Sequence, residues 1–199
     1  MPSRFRIVVL ILILVLEIAH GAPSEEKEIQ ALYRRGLLGD KAAVTECIEK
    51  LETVMRAEPT NQFARVYLGS AYTLRSRDLG FGPKKLAALK RGLALMDEAV
   101  AAAPDDPKVR LARALTNSAL PALFGRGAES RKDFATLAEK ADALSAKFEE
   151  GDLQIVYYRA GLSAEDARDH TKAVALWKKA SAHPADPGLA QKIEEALKR

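Results

Sequence analysis

The sequence predicts an all-α fold: a right-handed superhelix of about four helix–turn–helix units followed by a C-terminal capping helix. After residue 21 the chain is rich in Ala, Leu, Lys and Glu and lacks runs of β-branched residues, a composition that favours helix. The segments "AEPTNQ" (57–62), "AAPDDP" (102–107) and "AHPADP" (182–187) share one design. Each ends an Ala-rich helix with proline and then offers Asn or Asp as the next N-cap. Three copies of one boundary predict a repeat protein.

The N-terminus has the pattern of a secretory signal peptide. Two arginines precede an apolar run from Ile7 to Leu16, and the small residues Ala19 and Gly21 follow. We expect cleavage after Gly21, which divides the chain into a signal peptide (1–21) and one helical domain (22–199) that is periplasmic or secreted. An uncleaved anchor is the weaker alternative, because a spanning helix needs about 20 apolar residues.

Charge and cysteine content narrow the class of function. Two of the 31 Lys and Arg residues and one of the 27 Asp and Glu residues fall within residues 1–21, which leaves a net charge near +3. Both signs are interspersed, so the charge does not indicate nucleic acid as a partner. Cys47 is the single cysteine, which excludes an internal disulfide. Val44 and Leu51 share its helix face, so we expect a buried structural thiol.

The segment "YYRAGLSAEDARDHTKAVALWKKASAHP", residues 157 to 184, has small residues where two helices would touch and one large residue where they would diverge. The small residues are Gly161, Ala173 and Ala180, and the large one is Trp177. Tyr157 occupies the first aromatic position of the segment, and Pro184 ends its second helix. The pattern resembles a tetratricopeptide repeat (TPR), a helix–turn–helix unit of about 34 residues. The resemblance implies that Gly161 lets the second helix cross closely and that Trp177 fills the space between neighbouring helices.

A second unit shows the same marks over a longer span. Its matching positions are Leu68, Gly69 and Tyr72 in the first helix and Met96, Ala99 and Pro104 in the second. The unit has eleven residues more than the repeat requires, and we assign them to a loop around residues 75–85.

The other two units rest on length and apolar periodicity alone. The predicted helices are Ile29–Leu37, Ala42–Arg56, Val109–Ala119 and Glu129–Phe148, with Gly39-Asp40 and "LPALFGRG" (120–127) as their turns. Leu189, Ile193 and Leu197 recur at four-residue steps and predict the capping helix.

Residues with catalytic chemistry are few and scattered. His170 and His183, the two histidines after residue 21, have no second His or Cys at metal-ligand spacing. No nucleophile–base grouping or Cys-x-x-Cys motif accompanies Cys47. We therefore expect no enzyme activity, no metal and no cofactor.

The resemblance implies a concave groove, lined mainly by the first helices of the units, that binds a protein or peptide whose identity the sequence leaves open. Arg110, Arg113 and Asn117 form a polar stripe on one such helix, and Arg159 lies on the next. Arginines there would be solvated when the groove is empty and would clamp a carboxylate of the partner. The alternative is that they only aid solubility.

Two apolar loops offer a different contact surface: Leu79 and Phe81 in one, Leu123 and Phe124 in the other. We expect these loops either to pack on each other or to contact a partner. Two further alternatives stay open. One is a solenoid that binds a small molecule or glycan through aromatic residues in the groove. The other is a homo-oligomeric structural element of the cell envelope.

Overall fold

The computed structural model describes residues 23–198. The expected signal peptide and its cleavage site lie outside the described residues. The helices are α1 (Pro23–Leu37), α2 (Lys41–Ala57), α3 (Gln62–Asp78), α4 (Pro83–Ala102), α5 (Pro107–Ala119), α6 (Gly127–Lys140), α7 (Glu150–Asp166), α8 (His170–Ser181) and α9 (Pro187–Leu197). Short 3-10 turns at Ala122–Phe124 and Ser145–Lys147 flank α6. None of the helices in this range is long and apolar enough to cross a membrane.

Helices pack in sequential pairs: α1 with α2, α3 with α4, α5 with α6, and α7 with α8, while α9 covers the last pair. The first helices of the first three pairs also contact one another, α1 with α3 and α3 with α5, whereas α7 packs against α6. This arrangement confirms the predicted all-α solenoid of four helix–turn–helix units and a capping helix.

Carboxylate and amide side chains set the helix starts. Asn61 accepts the N–H of Ala64 at 2.9 Å, which satisfies a backbone donor that α3 leaves unpaired. Asp106 and Asp186 cap α5 and α9 in the same way, and each is followed by proline at the first helical position. The three recurring boundary segments therefore act as the sequence predicts.

Glycines allow the closest helix crossings. A Cβ on Gly69 would lie 2.6 Å from the carbonyl oxygen of Gly92, and a Cβ on Gly92 would lie 2.6 Å from that of Gly69. In the last unit a Cβ on Gly161 would lie 2.5 Å from Cδ1 of Trp177. Trp177 is fully buried, and its Nε1 donates to the carbonyl oxygen of Tyr158 at 3.3 Å. The two helices of this unit therefore cross closely at Gly161, and Trp177 fills the space beside it. Gly92, four residues before Met96, is a crossing position that the sequence analysis missed.

Three predicted helix boundaries are wrong. The first helix begins at Pro23, six residues before the predicted start at Ile29. The residues assigned to a loop at 75–85 are mostly helical, because the insertion lengthens α3 and α4 and leaves only residues 79–82 between them. Ser76 and Lys85 hold the two helix ends together: the Ser76 hydroxyl donates to the Lys85 carbonyl at 3.0 Å, and Lys85 Nζ donates to the Ser76 carbonyl at 3.0 Å. The helix predicted over Glu129–Phe148 ends at Lys140 instead, where the chain turns back towards α7.

The Cys47 thiol lies inside the first apolar core, with no exposed surface. Burial, which disfavours the thiolate, raises its pKa from the ordinary 9.0 to about 12. The prediction of a buried structural thiol is therefore confirmed.

Candidate functional site

A groove of about 1120 Å³ lies on the side of the solenoid formed by the first helices of the units. Residues from α1, α3, α5 and α7 line it, together with the turns that precede α5 and α7. The charged, polar, aromatic and large apolar residues that line the groove are Gln30, Arg34, Phe63, Tyr67, Asp105, Asp106, Lys108, Leu111, Leu115, Lys147, Phe148, Glu149 and Asp152.

The floor of the groove is apolar. Leu111, Ala112 and Leu115 follow one another at helical spacing on α5, so they face the same way. Leu115 is 38% exposed, which is unusual for a Leu in the middle of a solenoid. An apolar side chain left open inside a concave surface is a place where a ligand can bury apolar area.

The aromatic rings of Phe63 and Tyr67, both on α3, form one wall, and Tyr33 of α1 packs against Tyr67. The Tyr67 ring lies edge-on to Tyr33, with centroids 5.5 Å apart, and tilted against Phe63 at 4.6 Å. Burial raises the pKa of Tyr67 to about 12, so its hydroxyl keeps its proton. The rings support one another and present an apolar surface with a hydroxyl donor at its edge.

Charges of both signs surround the floor. Arg34, Lys108 and Lys147 supply cations, while Glu149 and Asp152 supply carboxylates where α7 begins. Burial raises the pKa of Asp152, although the backbone N–H of Glu149, 3.1 Å from its carboxylate, acts in the opposite direction. A partly buried carboxylate such as this one favours a cationic or hydrogen-bond-donating group of a ligand.

The structure corrects the role expected for the polar stripe on α5. Arg110 and Arg113 turn towards α6 and bind Asp133, which has no exposed surface. Three N–H groups meet that carboxylate at 2.8 Å: Nη1 of Arg110 and Nε and Nη2 of Arg113. Both arginine side chains are only 13% exposed, so, contrary to the prediction from the sequence, they are neither solvated nor free to bind a partner in the groove.

The same ion network extends to the turn before α6. Arg126 donates to Asp97 on α4 at 2.5 Å and to the side-chain oxygen of Asn117 at 3.3 Å. Arg113 also reaches Asp97, at 3.1 Å. The predicted residues Arg110, Arg113 and Asn117 are thus brought together, but as a clamp between α4, α5 and α6. Arg159, on α7, is half-buried and lies away from this clamp.

The two apolar loops do not cover each other. Phe81 is fully exposed and Leu123 is 80% exposed, which argues against the expected packing of one loop on the other. Leu79 and Phe124 are half-buried, and Leu79 packs against the first core cluster. The exposed pair remains available for a partner.

The histidines pair singly with carboxylates. His170 Nδ1 lies 3.0 Å from Glu165, and His183 Nδ1 lies 2.6 Å from Glu150. Among residues 23–198, no group of three or more His, Cys, Asp or Glu side chains is arranged to hold a metal ion.

Several groove residues were not predicted from the sequence, although their spacing on α5 indicates that they share one helix face. Lys108, Leu111, Ala112 and Leu115 form a second stripe on α5, beside the polar stripe. Which of the two stripes faces the groove depends on which face of α5 the neighbouring helices cover. The polar stripe is covered because it pairs with Asp133, which lies on a different helix, α6.

Comparison with known proteins points to one architecture. No protein-family model matches the chain, and no curated protein matches it significantly. A solved structure of a thermophilic TPR protein from Thermus thermophilus is similar, with a TM-score of 0.55 and 20% sequence identity over 86% of this chain and 82% of that one. At this identity the likeness concerns the fold alone. Together with the four helix pairs and their glycine crossings, it shows that this chain has the tetratricopeptide-repeat fold.

Proposed function

We propose that the protein is an exported, non-catalytic scaffold that holds a segment of another polypeptide in its concave groove. The observation that carries this proposal is the groove itself: an open channel with an apolar floor and charged rims, contributed by all four helix pairs. TPR-type folds commonly serve protein–protein interaction, which agrees with this interpretation. The N-terminal pattern of residues 1–21 supports export.

The groove's chemistry describes the segment that would fit. Leu111, Leu115 and the Tyr67–Phe63 wall favour apolar side chains that recur on one face, as on an amphipathic helix or an extended strand. The rims carry both signs, so charged residues of the partner would set its register and orientation. Arg34 on one side and Asp152 on the other are the charges best placed for this role.

One observation favours a second candidate, the binding of a small molecule or glycan. Aromatic side chains do line the groove, as that alternative requires, at Phe63, Tyr67 and Phe148. However, the Tyr67 ring is already in contact with two other rings, which leaves less of its face for a sugar to stack on. The apolar Leu floor also suits a polypeptide better than a hydroxyl-rich ligand.

The test is a selection of peptides on the immobilised protein from a random phage library, followed by titration of a selected peptide. Leu115→Asp places a charge on the apolar floor and should weaken binding by about tenfold or more. Phe81→Ser, which changes an exposed loop residue outside the groove, is the matched control and should leave affinity unchanged. Failure to enrich any peptide, or equal binding to Leu115→Asp, would contradict the proposal. Titration with oligosaccharides tests the second candidate.

A further inference from the structure

A second surface lies outside the groove, where the turns that join α1 to α2 and α3 to α4 meet. We call it the basic edge and define it as residues 35–41 and 75–86. Arg77 fastens the two turns together: its Nη2 donates to the Gly36 carbonyl at 2.8 Å and its Nη1 donates to the Leu37 carbonyl at 3.3 Å. The end of α3 is therefore held against the end of α1, and the two turns form one continuous surface.

Exposed apolar side chains are concentrated on this edge. Six large hydrophobic side chains are exposed in the described part of the chain, and four of them belong to the edge. These are Leu37 (50%), Leu38 (90%), Phe81 (105%) and Leu86 (50%). Single exposed Leu residues are ordinary, but a cluster at the tips of two adjoining turns marks a contact surface.

The charge of the edge identifies the kind of contact. Residues 35–41 and 75–86 contain six Lys and Arg and two Asp, a net charge of +4. The turns at the other ends of the helices, residues 58–61, 103–106 and 146–149, contain four carboxylates and one Lys. These three turns are therefore acidic, whereas the basic edge places its cations beside the exposed apolar tips.

We propose that the basic edge docks on the surface of an anionic lipid bilayer. Apolar tips set among cations match a membrane interface, because Leu and Phe enter the boundary between headgroups and acyl chains while Lys and Arg stay at the phosphates. Each cation near an anionic surface strengthens binding by about fivefold. A second copy that met this one edge to edge would present the same positive charge and would be repelled, so charge complementarity favours lipid over edge-to-edge self-association. This site is separate from the groove, which would stay open for a bound polypeptide.

The test uses co-sedimentation of the full, naturally processed chain with lipid vesicles. Vesicles of equal parts phosphatidylcholine and phosphatidylglycerol are compared with phosphatidylcholine alone. We expect at least about tenfold stronger binding to the anionic vesicles, and loss of this preference in high salt. Any N-terminal apolar residues that remain after processing contribute equally to every variant, so the results are compared as ratios.

Two sets of variants separate the apolar from the charged contribution. Leu38→Ser with Phe81→Ser should weaken anionic-vesicle binding by about tenfold or more, because both tips lose their apolar area. Lys41→Glu with Lys84→Glu should weaken it by at least about 25-fold, since two cations that each contribute about fivefold are lost. Both lysines are exposed and lie in the first turns of α2 and α4, where a carboxylate also suits the helix dipole, so these variants should fold.

The matched control is Lys172→Glu with Lys192→Glu, which changes the net charge by the same amount at exposed positions far from the edge. It should reduce binding much less than Lys41→Glu with Lys84→Glu. Equal loss in the two charge variants, or equal binding to both kinds of vesicle, would overturn the proposal. A dimer in light scattering that Phe81→Ser disperses would also overturn it, because a second copy would then cover the edge. Peptide binding, measured on the same set of variants, tests the groove independently of the edge. It should be lost in Leu115→Asp and kept in the edge variants.

Discussion

The ion clamp around Asp133 should be one of the most sensitive points of the fold. Asp133 has no exposed surface and receives three N–H groups from Arg110 and Arg113 at 2.8 Å. Asp133→Asn keeps the size of the side chain but removes its charge and turns an NH₂ group towards donors. Two guanidinium groups that are 13% exposed would then lack their main counter-charge.

Breaking a buried ion pair by removing one partner costs about 3–5 kcal/mol. The lower end applies here, because Arg113 keeps its 3.1 Å contact with Asp97 and Arg110 keeps its 2.6 Å bond to the Pro104 carbonyl. We therefore expect a loss of about 3 kcal/mol, which lowers the melting temperature by about 6–12 °C in a domain of this size.

Urea and thermal unfolding, followed by circular dichroism, measure this loss. Asp105→Asn is the control: Asp105 pairs with Lys140 at 2.6 Å but is 83% exposed, so its unfolding midpoint should not move. The reasoning is refuted if the two variants unfold alike, or if high salt removes the effect of Asp133→Asn, as it would for a solvated pair.

Two substitutions and one labelling experiment test the packing. Trp177→Ala should cost about 3–5 kcal/mol of unfolding free energy, because it empties a fully buried site between α7 and α8; a loss below about 1 kcal/mol in urea melts would mean that the repeat register is wrong. Gly69→Ala should cost about 1–3 kcal/mol, since its methyl group would lie 2.6 Å from the Gly92 carbonyl, whereas Gly80→Ala enters open space and should leave the urea midpoint unchanged. Cys47 should resist maleimide in the native protein at mildly alkaline pH and react once urea unfolds the chain. Folding raises the pKa of its thiol from 9.0 to about 12, so the neutral thiol is favoured in the folded state. The stability that this preference contributes is intact below pH 9 and falls as the pH approaches 12. Rapid native labelling would contradict the burial of Cys47.

The repeat architecture could be predicted from the sequence because its signals are local. Asn61, Asp106 and Asp186 cap helices through hydrogen bonds to residues two or three positions away. Gly161 and Trp177 lie within one unit and meet in any chain that folds as this repeat does. Such positions need no information from distant parts of the chain.

The site could not be predicted in the same way, because α5 buries charged side chains as well as apolar ones. The polar stripe of Arg110 and Arg113 faces inward, while Leu115 stays partly exposed in the groove. The arginines are buried only because Asp133, 20 and 23 residues further along, supplies a buried counter-charge. A pattern of polar and apolar residues on one helix does not contain that partner.

We propose that the partner segment lies in the concave groove and on no other surface. The ¹³C-methyl NMR spectrum of the leucines, recorded as a selected peptide is added, tests this placement. We expect the methyl signals of Leu111 and Leu115, which form the groove floor, to shift with saturation, while those of Leu38 and Leu123 on the exposed turns stay unchanged. Shifts at Leu38 and Leu123 with none at Leu111 and Leu115 would contradict this placement.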